Sequence, residues 1–194
     1  MNLIHFPSNN DDVKEALRYL KYEEFLRFQL TMQYIKLSRK DNLGIKKTFN
    51  RQTLDEFIAQ LPFVIDFCIK NKAALEVIND LQKETMMYRF VQGDVGSGKT
   101  VVGAIGLYAN YLAGYQGAMM APTEILATQH YRSLIKLFKK IDINIALLTG
   151  HLSNKEKQRI YNDLENGTID IVVGTHALFQ EKVIYQKLRF SYYR

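Results

Sequence analysis

The residues best suited to chemistry form one glycine-rich stretch. It reads Gly93-Asp94-Val95-Gly96-Ser97-Gly98-Lys99-Thr100. This spacing satisfies G-x-x-x-x-G-K-[ST], the phosphate-binding loop of nucleoside triphosphatases, in which glycines let backbone N–H groups turn inward around a phosphate. The lysine ammonium then reaches the β- and γ-phosphates, and the threonine hydroxyl ligates Mg²⁺. The stretch therefore predicts a nucleoside triphosphate site. It does not choose among kinases, GTPases and motors, and the structural alternative is a tight strand-to-helix turn in which Lys99 is only solvated.

Three further loops place small residues and hydrogen-bond donors at the ends of predicted strands. The residues are Thr123 and Glu124 after "MMAP", Gly150 in "LLTG", and Gly174, Thr175 and His176 in "VVGTH". Ligands bind at the carboxyl ends of strands in open parallel sheets, and a capped helix start offers N–H groups to a backbone phosphate. Each loop alone is weak, because Thr-Gly turns are common and a single histidine is usually structural. Three such loops behind a phosphate loop indicate nucleic-acid binding.

The segments that must position these loops alternate between short apolar strands and helices after Thr85. The predicted strands are 88–92, 117–122, 143–150 and 169–175, and the predicted helices are 98–113, 123–140 and 153–167. Ser153 and Glu156 form a capping-box pattern, and Gly167 is a stop signal. Such alternation predicts an α/β fold with a parallel sheet that is covered on both faces.

The residues before this region are predicted to be helical. An amphipathic helix is expected over 10–40, and a further helix over 71–84 with Leu75, Ile78 and Leu81 on one side. Thr53 and Glu56 read as a capping box on a short helix that stops before Pro62. The simplest interpretation of the amphipathic helix is that its apolar face packs on a core.

Composition and charge exclude several classes of protein. The 194 residues are 47% hydrophobic and 24% charged, contain no apolar run of membrane-spanning length, and begin without a signal-peptide pattern. The single cysteine, Cys68, excludes an internal disulfide, which favours a cytoplasmic location, and its apolar surroundings favour a buried hydrophobe over a nucleophile. Of the net charge of +6, residues 91–194 carry +4, from 12 basic and 8 acidic side chains. This excess permits a polyanionic partner, although a solvated basic surface explains it equally well.

The motif series resembles the first motor domain of superfamily 2 DNA helicases, and within them the RecG family of ATP-dependent branch-migrating helicases. The resemblance is carried by "VQGDVGSGKT", "MAPTEILATQH", "LLTG" and "IVVGTHALFQEKV", and upstream by "LDEFIAQLPF" and "IHFPSNNDDVKEALRYLKYEEFLRFQL". It implies a RecA-like P-loop motor domain, incomplete in 61–194, after a helical connector in 1–60. Transcription-repair coupling factors share the motor plan, but their equivalents of "APTE" and "GTHALFQ" differ.

The resemblance also implies roles for the matching residues. Lys99 and Thr100 would hold ATP and Mg²⁺, with Thr100 as the metal ligand. The residues at the strand ends would lie along duplex or branched DNA: Thr123, Glu124, Gly150, Gly174, Thr175 and His176. The family regresses stalled forks and moves branched junctions in DNA repair and recombination, and the parent protein is expected to be monomeric.

Two departures from the family pattern limit this expectation. Ile69 occupies the place of a glutamine that helps to recognise adenine in the family. After "VIYQKLRF" the family continues into an Asp-Glu-x-His box, whereas this sequence reads "SYYR" and has no acid after Glu181. The second motor domain and its arginine finger, which is worth roughly 10³–10⁵ in rate, are also missing. We therefore expect these 194 residues to hold ATP but not to hydrolyse it.

Two other functions fit parts of the sequence. A nucleotide-dependent interaction module would use the 10–40 helix to dock a partner. A small-molecule kinase would use the phosphate loop, but it leaves the three strand-end loops unexplained.

Overall fold

Strands and helices alternate through the C-terminal half of the chain in the computed structural model, which describes residues 5–39, 43–61, 67–94 and 96–193. In chain order the elements are α1 (Asn10–Arg39), α2 (Arg51–Ala59), α3 (Phe67–Leu81), α4 (Lys99–Leu112), β1 (Gln116–Met120), α5 (Glu124–Leu137), β2 (Ile145–Leu148), α6 (Asn154–Glu165), β3 (Ile171–Gly174), a 3₁₀ helix (His176–Phe179) and β4 (Leu188–Tyr193). The predicted helices and the strands after residue 113 are confirmed, with bounds that differ by up to four residues.

The four strands form one parallel sheet in the order β2-β3-β1-β4. Ala118 of β1 lies opposite Val172 of β3 on one side and Ser191 of β4 on the other. Because all the strands run the same way, the loops that leave β1, β2 and β3 all start at one edge of the sheet. The predicted α/β class with a parallel sheet is confirmed.

Alternating side chains divide the core into two layers, one on each face of the sheet. Met119, Ile171 and Val173 belong to a cluster that also contains the buried residues of α2, α3, α4 and α5. Ala118 and Val172 belong to a second cluster with residues of α6 and the 3₁₀ helix. The two central strands, β1 and β3, are buried along their whole length, which explains why they read as apolar runs, whereas the outer strands β2 and β4 are more exposed.

Small residues let α4 lie close to the sheet. A Cβ atom at Gly106 would come within 2.7 Å of the Phe190 ring on β4, so only glycine fits there without a shift of that ring. Ala104 and Ala109 of α4 are fully buried. This close packing matters for function because α4 begins directly at the phosphate loop.

The N-terminal part of the chain is a separate compact unit. The two units are Met1–Gly44 and Ile45–Arg194, and α2 therefore belongs to the second one. The division into a connector and a motor domain after residue 60 stays a prediction. None of the described helices is long and apolar enough to cross a membrane.

The expectation of a core-facing α1 is wrong for most of its large apolar side chains. Many of them are exposed: Leu17, Tyr19, Tyr22, Phe25, Leu26, Phe28, Leu30, Met32, Tyr34 and Leu37. A single helix has no second layer within its own unit on which to bury an apolar face.

The predicted strand over 88–92 is absent, since no strand is assigned to these residues. Arg89 instead forms ion pairs with Asp80 and Glu76 of α3, and its Nε lies 2.8 Å from Asp80 Oδ2. An apolar pentapeptide becomes a strand only when it pairs with a sheet edge. Here the neighbouring edge, β4, faces this segment across a cavity lined by residues of both.

Two local expectations before the sheet are also corrected. The N-cap of α2 is Asn50, whose side chain accepts from the N–H groups of Gln52 and Thr53, so the predicted Thr53–Glu56 capping box is not formed. Asparagine caps helices as well as threonine does, and it stands where the chain is still extended. Leu75 is exposed, because the buried face of α3 consists of Ala74, Val77, Ile78 and Leu81.

We expect Gln116→Met to destabilise the second unit by about 2–4 kcal/mol. The Gln116 amide is buried, donates to the carbonyl oxygens of Leu164 and Ile169 at 2.9 and 2.8 Å, and accepts from the Lys187 N–H at 2.9 Å. Methionine keeps the volume and removes all three bonds. Urea unfolding followed by circular dichroism measures the loss, with Gln33→Met on exposed α1 as the control. Equal midpoints for the two variants would contradict the prediction.

Candidate nucleotide and nucleic-acid site

The phosphate loop turns into α4 through two glycines in the left-handed region. Gly96 has φ +82° and Gly98, the N-cap of α4, has φ +84°. Residues with a Cβ atom pay about 1–2 kcal/mol for this conformation, which accounts for glycine at both positions. The helix that starts at Lys99 directs its first N–H groups and the positive end of its dipole toward the loop. A helix start after a glycine turn is a favourable place for an anion.

The Lys99 ammonium lies inside this loop. Its Nζ donates to the carbonyl oxygens of Gly93 and Asp94, both at 2.6 Å, and lies 3.4 Å from Ser97 Oγ. The loop, the α4 N terminus and a cation therefore converge, which is the donor set that a triphosphate requires. Val95, also predicted to bind nucleotide, lies outside the described residues.

Thr100 stands in the first turn of α4, next to Lys99. The described residues contain no group of three His, Cys, Asp or Glu side chains that could hold a metal ion. The role of Thr100 as a ligand of Mg²⁺ stays a prediction.

β4 supports the start of α4 in a way that the sequence did not reveal. The Tyr192 hydroxyl donates to the Lys99 carbonyl oxygen at 3.2 Å, and its ring packs beside Gly103. Tyr192 therefore supports the first turn of α4, which follows the phosphate loop.

Thr123, Glu124 and Gly150 come together at the carboxyl edge of the sheet. Thr123 Oγ1 caps α5 by accepting from the Leu126 N–H at 3.3 Å. Glu124 Oε1 accepts from the Gly150 N–H at 2.7 Å, and its Oε2 lies 3.3 Å from Nδ1 of the exposed His151. Glu124 thus ties the start of α5 to the loop after β2. No sequence signal could identify this contact, since its partners are 26 residues apart.

The Gly150 loop is held from its other side as well. Lys157 Nζ on α6 donates to the Gly150 carbonyl oxygen at 2.6 Å, and the predicted Ser153–Glu156 capping box at the start of α6 is confirmed. Hydrogen bonds from Ser153 hold the pKa of the Glu156 carboxyl below its ordinary value. The loop is therefore fixed by α5 and α6 together.

Gly174, Thr175 and His176 occupy the neighbouring strand end. The Gly174 carbonyl oxygen accepts from the Ala121 N–H at 2.9 Å, which joins the ends of β3 and β1. Thr175 is half-buried and His176 is exposed, at the start of the 3₁₀ helix. Because Gly174 also pairs with Leu148 of β2, this loop and the Gly150 loop leave adjacent strands.

Tyr185 fixes the 3₁₀ helix behind His176, and burial raises its pKa to about 12. Its hydroxyl donates to the Leu178 carbonyl oxygen at 3.1 Å. The Tyr185 hydroxyl should thus ionise well above the ordinary value near 10, and burial also raises the pKa values of Tyr108 and Tyr111. Because the pKa is raised on folding, the associated stability is complete below pH 10 and is lost as the pH rises toward 12.

Tyrosinate absorbance during a pH titration tests this assignment. The absorbance change near pH 12 should shrink by one tyrosine in Tyr185→Phe, and it should keep its full size in the control Tyr19→Phe, which alters an exposed side chain on α1. An undiminished change near pH 12 in Tyr185→Phe would contradict the assignment.

Comparison with known proteins agrees with this geometry. Residues 71–192 match the family model of the DEAD/DEAH box helicases. The chain is 45% identical over 189 residues to the ATP-dependent DNA helicase RecG of Bacillus subtilis, covering 97% of this chain and 28% of that protein. It is 44% identical to the RecG of Thermotoga maritima over 95% of this chain and 24% of that protein. The chain thus spans about a quarter of the length of these relatives.

Solved structures give the same result. The chain is similar to the structure of RecG bound to a three-way DNA junction, with a TM-score of 0.79 and 44% identity, over 96% of this chain and 25% of that one. A hypothetical ATP-dependent RNA helicase from Sulfolobus tokodaii shares the fold over 70% of this chain and 38% of that one, at a TM-score of 0.51 and 21% identity. Since the family model covers more than half of the sequence, the chain belongs to the DEAD/DEAH box helicase family.

Proposed function

We propose that this chain is the ATP-binding part of a RecG-like DNA helicase motor. The observation that carries the proposal is the Lys99 ammonium, held inside a glycine loop at the start of a helix in a helicase-family domain. The relatives are named ATP-dependent DNA helicases, and one was solved on a branched DNA. A connector in 1–60, a motor part in 61–194, a cytoplasmic location and a role in repair and recombination belong to this proposal. The kinase and interaction-module alternatives are not favoured by the similarity to RecG.

Binding of the nucleotide exchanges one set of partners of Lys99 for another. The residues that surround the triphosphate are Gly93, Asp94, Val95, Gly96, Ser97, Gly98, Lys99 and Thr100. The ammonium leaves two loop carbonyl oxygens for phosphate oxygens, and the α4 N–H groups face the same charge. The Thr100 hydroxyl would be one of the ligands of Mg²⁺, which would offset the charge of the phosphates.

Holding ATP and hydrolysing it are separate capabilities in this motor. Hydrolysis needs a group that positions water and a cation that stabilises the transition state. The proposal for residues 1–194 is limited to holding ATP. Ile69, which stands at the glutamine position, predicts weak discrimination between ATP and GTP.

We also propose that DNA lies along the carboxyl edge of the sheet. The groups offered there are the α5 start at Thr123, the Gly150 loop, and Gly174 with Thr175 and His176. They are backbone N–H groups, a hydroxyl and an imidazole, which suit phosphates rather than base edges. Glu124 itself would repel a phosphate, so its role is to position Gly150 and His151. Duplex or branched DNA is the proposed partner.

Lys99→Ala should weaken binding of a fluorescent ATP analogue in the presence of Mg²⁺ by about 10- to 100-fold. This range is the value of a charged hydrogen bond, about 1.5–3 kcal/mol, converted to affinity. Lys155→Ala removes an exposed lysine of α6 and serves as the matched control. Wild-type affinity in Lys99→Ala would refute the nucleotide site.

The pair Thr175→Val and His176→Ala should weaken binding of a fluorescent duplex by about fivefold, the value of one lost hydrogen bond. Affinity should also fall steeply between about 50 and 200 mM salt, because phosphate contacts release counterions. Anisotropy measures both effects, with His5→Ala in the first unit as the control. An unchanged affinity in the double variant would place DNA elsewhere on the chain.

A further inference from the structure

A small cavity of about 230 Å³ opens between the end of α2 and the end of α5. Its floor is apolar and consists of Phe57, Leu61, Leu137 and Ile141. Sites for small molecules usually measure roughly 300–1,000 Å³, so this one suits a single large side chain better than a whole cofactor.

Three lysines surround this floor. Lys136, Lys139 and Lys140 line the cavity, and all three are exposed. In the part of the chain that the structure describes, none of them belongs to an ion pair. Three cations at one apolar opening form a site that attracts negative charge.

The carboxylates of α2 that lie nearest in the sequence to this floor are engaged elsewhere. Asp55 pairs with Arg51, and Glu56 accepts from the Gln52 amide at 3.1 Å. The positive charge of the three lysines is therefore not neutralised by α2.

The cavity lies far from the proposed nucleotide and DNA groups. α5 starts at the carboxyl edge of the sheet with Glu124 and ends at Leu137, so its last turn stands near the opposite edge, where β2 begins. A helix of 14 residues is about 21 Å long. The lysines thus belong to a surface that the nucleotide and DNA sites do not use.

The aromatic ring in the floor argues against a nucleic acid. Phe57 is only 5% exposed and packs on Tyr108 and Phe138, with ring centroids 4.5 and 5.3 Å away. Single-stranded nucleic acids bind by stacking bases on accessible aromatic faces, and duplexes bind without an apolar cavity. A buried floor instead accepts an inserted side chain.

We propose that this cavity binds an acidic peptide segment of a partner protein. One apolar side chain, best an aromatic one, enters the cavity, and flanking carboxylates pair with Lys136, Lys139 and Lys140. The apolar insertion supplies specificity, because a ring that leaves water buries a large area. The lysines add attraction that salt screens.

The test uses a labelled peptide, acetyl-Asp-Glu-Phe-Glu-Asp-Leu-amide, and fluorescence anisotropy with the whole chain. Each exposed ion pair is worth about 1.4- to fivefold in affinity, so the triple variant Lys136→Ala, Lys139→Ala and Lys140→Ala should bind about 3- to 100-fold more weakly. The control triple variant Lys72→Ala, Lys155→Ala and Lys182→Ala removes the same charge at other exposed positions and should bind like the wild type. Replacing the peptide phenylalanine by alanine should also cost at least tenfold, about the value of one buried side chain.

Three results would overturn the proposal. Equal losses in the two triple variants would mean that only net charge matters. Equal binding of the phenylalanine and alanine peptides would mean that the cavity is not entered. Displacement of the peptide by duplex DNA in the wild type would make the three lysines part of a nucleic-acid surface.

Discussion

The close approach of α4 to β1 and β4 fixes the position of every group that could touch a nucleotide. The Phe190 ring packs against Gly106, and the Tyr192 hydroxyl donates to the Lys99 carbonyl oxygen. β4 therefore supports the first and the middle turns of the helix. Because α4 starts at Gly98, any shift of the helix would move the phosphate loop and the Lys99 ammonium with it. The small residues that allow this close contact therefore also determine where the phosphate loop lies.

A second set of constraints joins the loops at the carboxyl edge. The Glu124 carboxylate holds the Gly150 N–H, Lys157 holds the Gly150 carbonyl oxygen, and the Ala121 N–H binds Gly174. Direct contact between the Glu124 carboxylate and a phosphate would be unfavourable, because both are negatively charged. The carboxylate is useful as a support, because it holds neighbouring groups in place before a ligand arrives. The other oxygen of the same carboxylate lies 3.3 Å from Nδ1 of the exposed His151.

Sequence patterns predicted the parts of this structure that depend on near neighbours. The caps at Thr123 and Ser153, the stop at Gly167 and the apolar runs of β1, β2 and β3 are local signals, and all are confirmed. The 88–92 segment failed because strand formation needs a partner edge, which no local pattern supplies. The Glu124–Gly150 bond and the lysine-lined cavity were not foreseen for the same reason, since the cavity joins residues 57–61 with 136–141.

α5 connects two separate regions of the surface. Its first turn carries Glu124, which accepts from the Gly150 N–H, and its last turn carries Lys136 beside the apolar cavity. The helix is buried through Ala127, His130 and Leu134 against the sheet, and such packed elements move only between discrete arrangements. Coupling between its two ends would require a second packing of this face, and the residues on it pack in one core cluster with Ile171 and Val173. We therefore expect peptide binding at one end of α5 and DNA binding at the other to be energetically independent. A partner protein could then bind the cavity without changing the affinity of the chain for DNA.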